Sequence, residues 1–388
     1  MHAFTPLKTI GTFTLCILLI ILVGCAPKAR KAGGYMDTPQ THYKEGMKFF
    51  NDEKIDKAEE EFNLAISLNA QFAPAYARLA LTKSQRGDFK AALTLADKAQ
   101  SLDSKLPEAY IAKGSVITKR NEGKPAKEWL KEVEKEYERA IKLDPENAEA
   151  YYRRGYCFKK AYEFAKAAED FKKALELKKD FTKEADEQWL LVQMIERAAP
   201  GTDVGKRIAL IEKISRADIA ALFVSELQID KIVEKKRPKH YDTDFKAPVD
   251  PRTMKTDSVV AKAAVTDIDG HWAKNFIMDI VGYGIRGLEP YPDHTFHPDQ
   301  LVNRGEYAMV VEDAVIAILR DPSLATKHIG SQSRFPDVNS SHPAYNAICT
   351  AIDKGVMNAE MNGEFGAEKS VSGPEALLII RKLKELQK

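Results

Sequence analysis

Cysteine is nearly absent from this sequence of 388 residues: there are four, Cys16, Cys25, Cys157 and Cys349. No two form a CxxC pair, which excludes a zinc ribbon and a thioredoxin-type redox site. An excess of either charge is missing too. Lys and Arg number 59 against 57 Asp and Glu, a formal net charge of +2. No strong field therefore argues for nucleic acid as a partner. The letters of a P-loop, of an HExxH zinc site and of a GxSxG nucleophile elbow are all wanting. The N-terminal apolar run, residues 10–23, falls short of the ~20 residues a membrane-crossing helix needs. What remains is an ordinary globular composition, 30% charged and 44% hydrophobic, with length for two or three domains.

That short apolar run follows Lys8, contains no acid, and has the length of a secretory core segment. It ends Leu22-Val23-Gly24-Cys25. Small residues before the cysteine suit a signal peptidase, and the thiol can carry a diacylglycerol. The stretch resembles the bacterial lipoprotein lipobox. That resemblance implies a signal peptide over 1–24, palmitate-type acylation at Cys25 and a membrane as partner. Ala26 after the cysteine, rather than Asp, implies sorting to the outer membrane, facing the periplasm. The alternative is an ordinary signal peptide with an incidental cysteine. Residues 25–38 are rich in Lys, Gly and Pro and read as a tether.

Small residues then recur in columns. Gly46, Ala80, Gly114 and Gly155 are spaced 34, 34 and 41; Ala65, Ala99, Ala140 and Ala174 are spaced 34, 41 and 34. The long interval coincides with an insertion, Asn121 to Trp129. Phe62, Tyr137 and Phe171 fill a large position where Ala96 is the exception. The pattern resembles the tetratricopeptide repeat, with four helical hairpins and a capping helix over 39–198. The family's groove positions fall on Tyr43, Met47, Phe50 and Asn51; on Leu81, Ser84 and Gln85; on Ile111, Ser115, Thr118 and Lys119; and on Tyr152, Tyr156, Lys159 and Lys160. They imply a groove for a protein partner, an extended peptide or helix with an acidic end. The same side chains could instead pack against the cap or the rest of the chain.

The second half holds three helix starts of one kind: Ser215-Arg216-Ala217-Asp218, Asn303-Arg304-Gly305-Glu306 and Ser372-Gly373-Pro374-Glu375. Each has the spacing of a capping box. The acids are explained as caps; the arginines are not, because a cation in the first turn opposes the helix dipole. An anion docked at the helix start would account for them. Pairing with a neighbouring acid is the alternative. Around these starts lie Val265-Thr-Asp-Ile-Asp-Gly-His-Trp272, Tyr291-Pro-Asp-His-Thr-Phe-His-Pro298 and Phe335-Pro-Asp-Val338. The segments resemble S-layer homology units, at 263–320 and, degenerate, at 333–388, with a weaker one at 199–233 and an exposed linker at 234–262. Three such units imply a pseudo-threefold helical domain, so the fold class expected is all-α throughout. The family implies binding of cell-wall polysaccharide or peptidoglycan-linked glycan near Arg304 and Arg216, with Asn303 and Glu306 beside them and Trp272 as a sugar-stacking or core aromatic. Pro343 and Gly373 depart from the pattern and limit the expected clefts to two. His271, His294 and His297 sit in turns, and no metal or cofactor is expected.

Three function classes follow. The first is a non-enzymatic, lipid-anchored envelope scaffold that binds wall glycan and a protein. The second is an accessory factor of an outer-membrane or secretion complex, working through the repeat groove on a non-binding C-terminal platform. The third, a glycan-cleaving enzyme, lacks an evident acid pair or nucleophile.

Overall fold

The computed structural model describes residues 33–233 and 265–387, all helix, turn and loop, with no strand among them. Cys25 and the whole of the expected linker at 234–262 lie outside the described residues. The chain divides into two compact units, 1–186 and 187–388.

The first unit is four antiparallel helix pairs: α1 (Pro39–Asn51) with α2 (Ile55–Leu68), α3 (Ala73–Gln85) with α4 (Phe89–Leu102), α5 (Pro107–Arg120) with α6 (Leu130–Leu143), and α7 (Ala148–Lys160) with α8 (Phe164–Leu177). Proline opens the first helix of three pairs, where its missing N–H costs nothing. Asp144, ahead of Pro145, ends α6. The columns of small residues are the crossing points. A Cβ on Gly46 would stand 2.6 Å from the Phe62 ring, on Gly114 2.9 Å from Tyr137, and on Gly155 2.9 Å from Phe171. Where the glycine becomes Ala80, the ring becomes Ala96, and both sit in one buried cluster. The exception in the large column is thus matched by its partner. The insertion forms a loop whose end, Trp129, is buried against Val133 and Tyr137.

Helix α9 (Thr182–Ala198) was expected as the cap of the repeats. The division of the chain falls within it, and everything from Glu187 onward groups with the second unit. There it precedes α10 (Asp203–Ile208), α11 (Arg216–Ser225), α12 (Lys274–Tyr283), α13 (Arg304–Leu319), α14 (Tyr345–Asp353) and α15 (Gly373–Leu386). The residues just before α11, α13 and α15 meet at the centre. Val302 donates its N–H to the Ile214 carbonyl (3.1 Å), Val371 to Val302 (3.4 Å) and Ile214 to Val371 (2.9 Å). This closed ring of three backbone hydrogen bonds, its side chains buried, is the pseudo-threefold axis. It includes Ile214, so the segment before α11 completes the domain.

Candidate functional site

Two of the three expected capping boxes are complete. Ser215 and Asp218 cap α11 reciprocally, as do Asn303 and Glu306 on α13. The third is half made: Ser372 accepts from the Glu375 N–H, while the Glu375 carboxylate turns to Arg304.

The arginines do not offer a helix end to an anion, and this corrects the sequence expectation. The first N–H groups of both helices are already taken by the protein's own carbonyls. Arg216 and Ala217 donate to Gln300 and Pro298, and Arg304 and Gly305 to Lys369 and Ala367. The guanidinium groups reach into the turn of the following unit. Arg216 donates to the carbonyls of Phe296 (2.9 Å), Gly287 (2.8 Å) and Glu289 (2.9 Å), over the Phe296 ring. Arg304 does the same with Phe365 (3.0 Å) and Asn358 (2.9 Å), and pairs with Glu375. Each turn is held from its other side by an aspartate. Asp267 accepts from the N–H groups of Phe296 and His297, and Asp337 from those of Phe365 and Gly366. Asp267 is therefore a turn staple. His294 and His297 adopt positive φ in that turn.

The arginines nevertheless border hollows. A cleft of about 310 Å³ is lined by Arg216, Ile219, Leu288, Glu289, Tyr291, Gln300, Glu306, Met309 and Val310. A second of about 310 Å³ is lined by Arg304, Val356, Met357, Asn358, Glu375, Leu378 and Ile379, with Arg197 and Lys382. The two are built in the same register, with one difference of charge. The first has one cation against two carboxylates. The second has three cations against one, since Asn358 stands where the first has Glu289 and α9 and α15 add Arg197 and Lys382. Burial, first, pushes both guanidinium groups down from their ordinary pKa, opposed by nearby acids such as Glu306 and Glu360.

At the third helix start Gly373 stands in place of the arginine. The Gly373 N–H donates to the Ile211 carbonyl (2.8 Å), and a Cβ there would come within 1.8 Å of the Ile208 oxygen. Trp272 is 44% exposed, with the Arg207 guanidinium 3.8 Å from its ring centre. Asn303 also donates to Glu368. Among the described residues no cluster of His, Cys, Asp and Glu is arranged to hold a metal. Sequence reading overlooked Gly282-Tyr-Gly284-Ile-Arg-Gly287, which spells a dinucleotide fingerprint. It begins in the last turn of α12 instead of opening a helix, and Gly284 is the left-handed cap of that helix.

In the first unit a groove of about 380 Å³ is lined by Phe50, Leu81, Ser84, Gln85, Ser115, Thr118, Lys119, Glu122, Tyr137, Tyr152, Arg153 and Tyr156. Nine of the expected positions line it; Tyr43, Met47, Asn51, Ile111, Lys159 and Lys160 do not. Ile111 is buried in the core. Tyr43 and Met47 pack beside Phe62. Lys159 is buried along its stem, its ammonium 4.7 Å from the Tyr156 ring centre. Burial, then repulsion from Lys160, lowers its pKa to about 8. Lys160 pairs with Glu122. Beneath the groove lies a buried ion pair that sequence reading missed. Arg78 of α3 and Glu149 of α7 form two hydrogen bonds (2.8 and 2.6 Å), and Arg153 adds a third to the same carboxylate (2.7 Å).

Residues 135–161 match the family model of the TPR repeat, and residues 266–308 and 334–377 each match that of the S-layer homology domain. The chain therefore carries a tetratricopeptide repeat and two S-layer homology domains. Cell surface glycoprotein 1 of Acetivibrio thermocellus is 31% identical over 103 residues, 24% of this chain and 4% of that protein's length. Among solved structures, TTC0263, a thermophilic TPR protein in Thermus thermophilus, is similar at 18% identity with a TM-score of 0.38, over 50% of this chain and 95% of that one. MamA from Desulfovibrio magneticus is similar at 19% identity with a TM-score of 0.28, over 42% and 96%. Tetratricopeptide repeats point to protein–protein interaction and S-layer homology domains to cell-wall or surface binding. Together they indicate a protein of the cell envelope or surface, built from domains of a binding rather than a catalytic kind.

Proposed function

We propose that this chain is a non-enzymatic envelope scaffold. Its C-terminal unit grips wall glycan, its repeat groove recruits a protein, and acylated Cys25 ties it to a membrane, the outer one by the residue that follows. The observation that carries the glycan reading is the charge of the Arg304 cleft. An apolar floor of Val356, Met357, Leu378 and Ile379 suits a sugar's carbon face, and Arg304, Arg197 and Lys382 around it suit an acidic substituent. The Arg216 cleft, with two carboxylates, suits a neutral saccharide. Asn303 and Glu306 act by holding α13 in place. Trp272 keeps enough open surface for a sugar to stack.

The test is co-sedimentation of residues 26–388 with purified sacculi. The protein should pellet, and Lys382→Glu should weaken binding at least tenfold, the scale of one charge-assisted hydrogen bond. Arg304→Ala should weaken it too, though it also loosens the turn. Sacculi with amidated carboxyl groups should bind poorly. A protein that stays in the supernatant, or is unmoved by Lys382→Glu, overturns the glycan assignment. The accessory-factor reading would then stand on the groove alone.

A further inference from the structure

The groove of the first unit carries an uneven charge that its own contacts leave uncompensated. Arg78 and Arg153 share one carboxylate, Glu149. Lys119 meets no carboxylate among the described residues; its ammonium donates to the Gln85 side-chain carbonyl (2.9 Å). Glu122, the acid in the lining, is already held by Lys160 and by the Tyr156 hydroxyl. The positive surplus gathers between α5 and α7. The opposite end, between α1 and α3, is apolar, made by Phe50 and Leu81. Between the two lie hydroxyl and amide groups of Ser84, Gln85 and Ser115. Such groups can pair with the open backbone of an extended chain, which a helix does not present.

Resting on the reading of the groove as a protein-binding site, we propose that its partner is an extended peptide with one bulky apolar side chain and, about six residues further along, a carboxylate. The spacing follows from the scaffold. Neighbouring helices pack about 8–10 Å apart, so the two ends of the groove are some 16–20 Å apart, and an extended chain covers ~3.3 Å per residue. The apolar side chain seats on Phe50 and Leu81. The carboxylate meets Lys119 and Arg153 between Tyr152 and Tyr156, where the ring walls exclude water and strengthen the pairing.

The test uses the chain from residue 26 and fluorescence anisotropy. The probe is a labelled peptide with Leu near one end and an Asp-Glu pair about six residues on, in a Ser/Thr background, made in both chain directions. One direction should bind. Replacing Asp-Glu by Lys-Lys, or Leu by Ser, should weaken it at least tenfold. Lys119→Glu should weaken the acidic peptide likewise and improve the Lys-Lys peptide, a swap that misfolding cannot mimic. Lys382→Glu, in the other unit, should leave peptide binding unchanged, which separates this result from the sacculus assay. Equal binding of acidic and basic peptides would overturn the proposal, as would indifference to Lys119→Glu. Displacement of the peptide by polygalacturonate at similar concentration would show a general polyanion seat and overturn it equally. If the acidic peptide fails while a peptide of another pattern binds and loses that binding in Tyr156→Ala, the groove remains a protein site and the partner chemistry proposed here is overturned.

Discussion

At the residue scale, the repeats rest on pairs in which one member's size forbids the other's. Gly114 exists because Tyr137 lies across it, with a would-be Cβ 2.9 Å from the ring. Tyr137 is fully buried and has nowhere to move. Gly114→Ala should therefore lose about 1–3 kcal/mol by overpacking, despite alanine's helix preference of about 1 kcal/mol. In a Tyr137→Ala background the same change should be neutral or stabilising, since it recreates the Ala80–Ala96 pairing of the second repeat. Urea unfolding of the four variants gives the coupling directly. A coupling energy near zero would show that the column is not a contact pair. His294 offers a second check. It holds φ at +66°, in the left-handed region that favours glycine. His294→Gly should stabilise the second unit by about 1 kcal/mol, read from its unfolding midpoint.

At the element scale, the S-layer-like segments within 187–388 are joined by an arginine from one helix start set in the turn that follows the next segment's first helix. Removing the Arg216 guanidinium leaves the carbonyls of Phe296, Gly287 and Glu289 without it. Arg216→Ala should cost about 3 kcal/mol or more, and Arg216→Lys should recover little, because one ammonium nitrogen cannot span acceptors set around the three nitrogens of a guanidinium. Restoring the family residue in the third unit, Gly373→Arg, should destabilise rather than repair, since the Ile208 oxygen occupies the space. Here lies the limit of what the sequence revealed. The repeats were legible because glycine and ring sit in the same hairpin, at a fixed spacing. The caps were legible because their partners lie three residues apart. The arginine's partners are backbone carbonyls 71 to 80 residues away, which have no side-chain signature. One signal was available. The S-layer-like segment at 199–233 lacks the YPDxTF turn and the one at 333–388 lacks the arginine, and around a closed ring these are the two halves of one missing contact. The Arg78–Glu149 pair was equally silent, joining the second and fourth repeats across the third. Burial by itself would raise the Glu149 carboxyl, but Arg78 and Arg153 outweigh it and hold the pKa at about 2, below the ordinary 4.5. A depressed carboxyl contributes stability that is full above pH 4.5 and is lost as pH falls toward 2. Acid unfolding of the repeats followed by circular dichroism should track that window, and Glu149→Gln should flatten the dependence while lowering stability at neutral pH.

At the scale of the whole molecule, each unit has its own positively charged hollow. The chain is nearly neutral overall, yet the first unit's groove is lined by Lys119 and Arg153 against Glu122, and one cleft of the second unit by Arg304, Arg197 and Lys382 against Glu375. On the proposed reading, one chain would hold two anionic partners. If the chain is a scaffold, its two bindings must be compatible on a single molecule. Sacculi mixed with the chain and the labelled acidic peptide should therefore pellet the peptide, at a ratio to protein approaching one peptide per chain. Lys119→Glu should leave the protein in the pellet and release the peptide to the supernatant. Lys382→Glu should move both to the supernatant, still bound to each other by anisotropy. Partial pelleting that falls as either ligand is raised would mean that the two ligands compete, and a competing pair cannot serve as a bridge. The crossed outcomes of these two charge reversals, one in each unit, separate a scaffold from a chain with two unrelated binding domains that exclude one another.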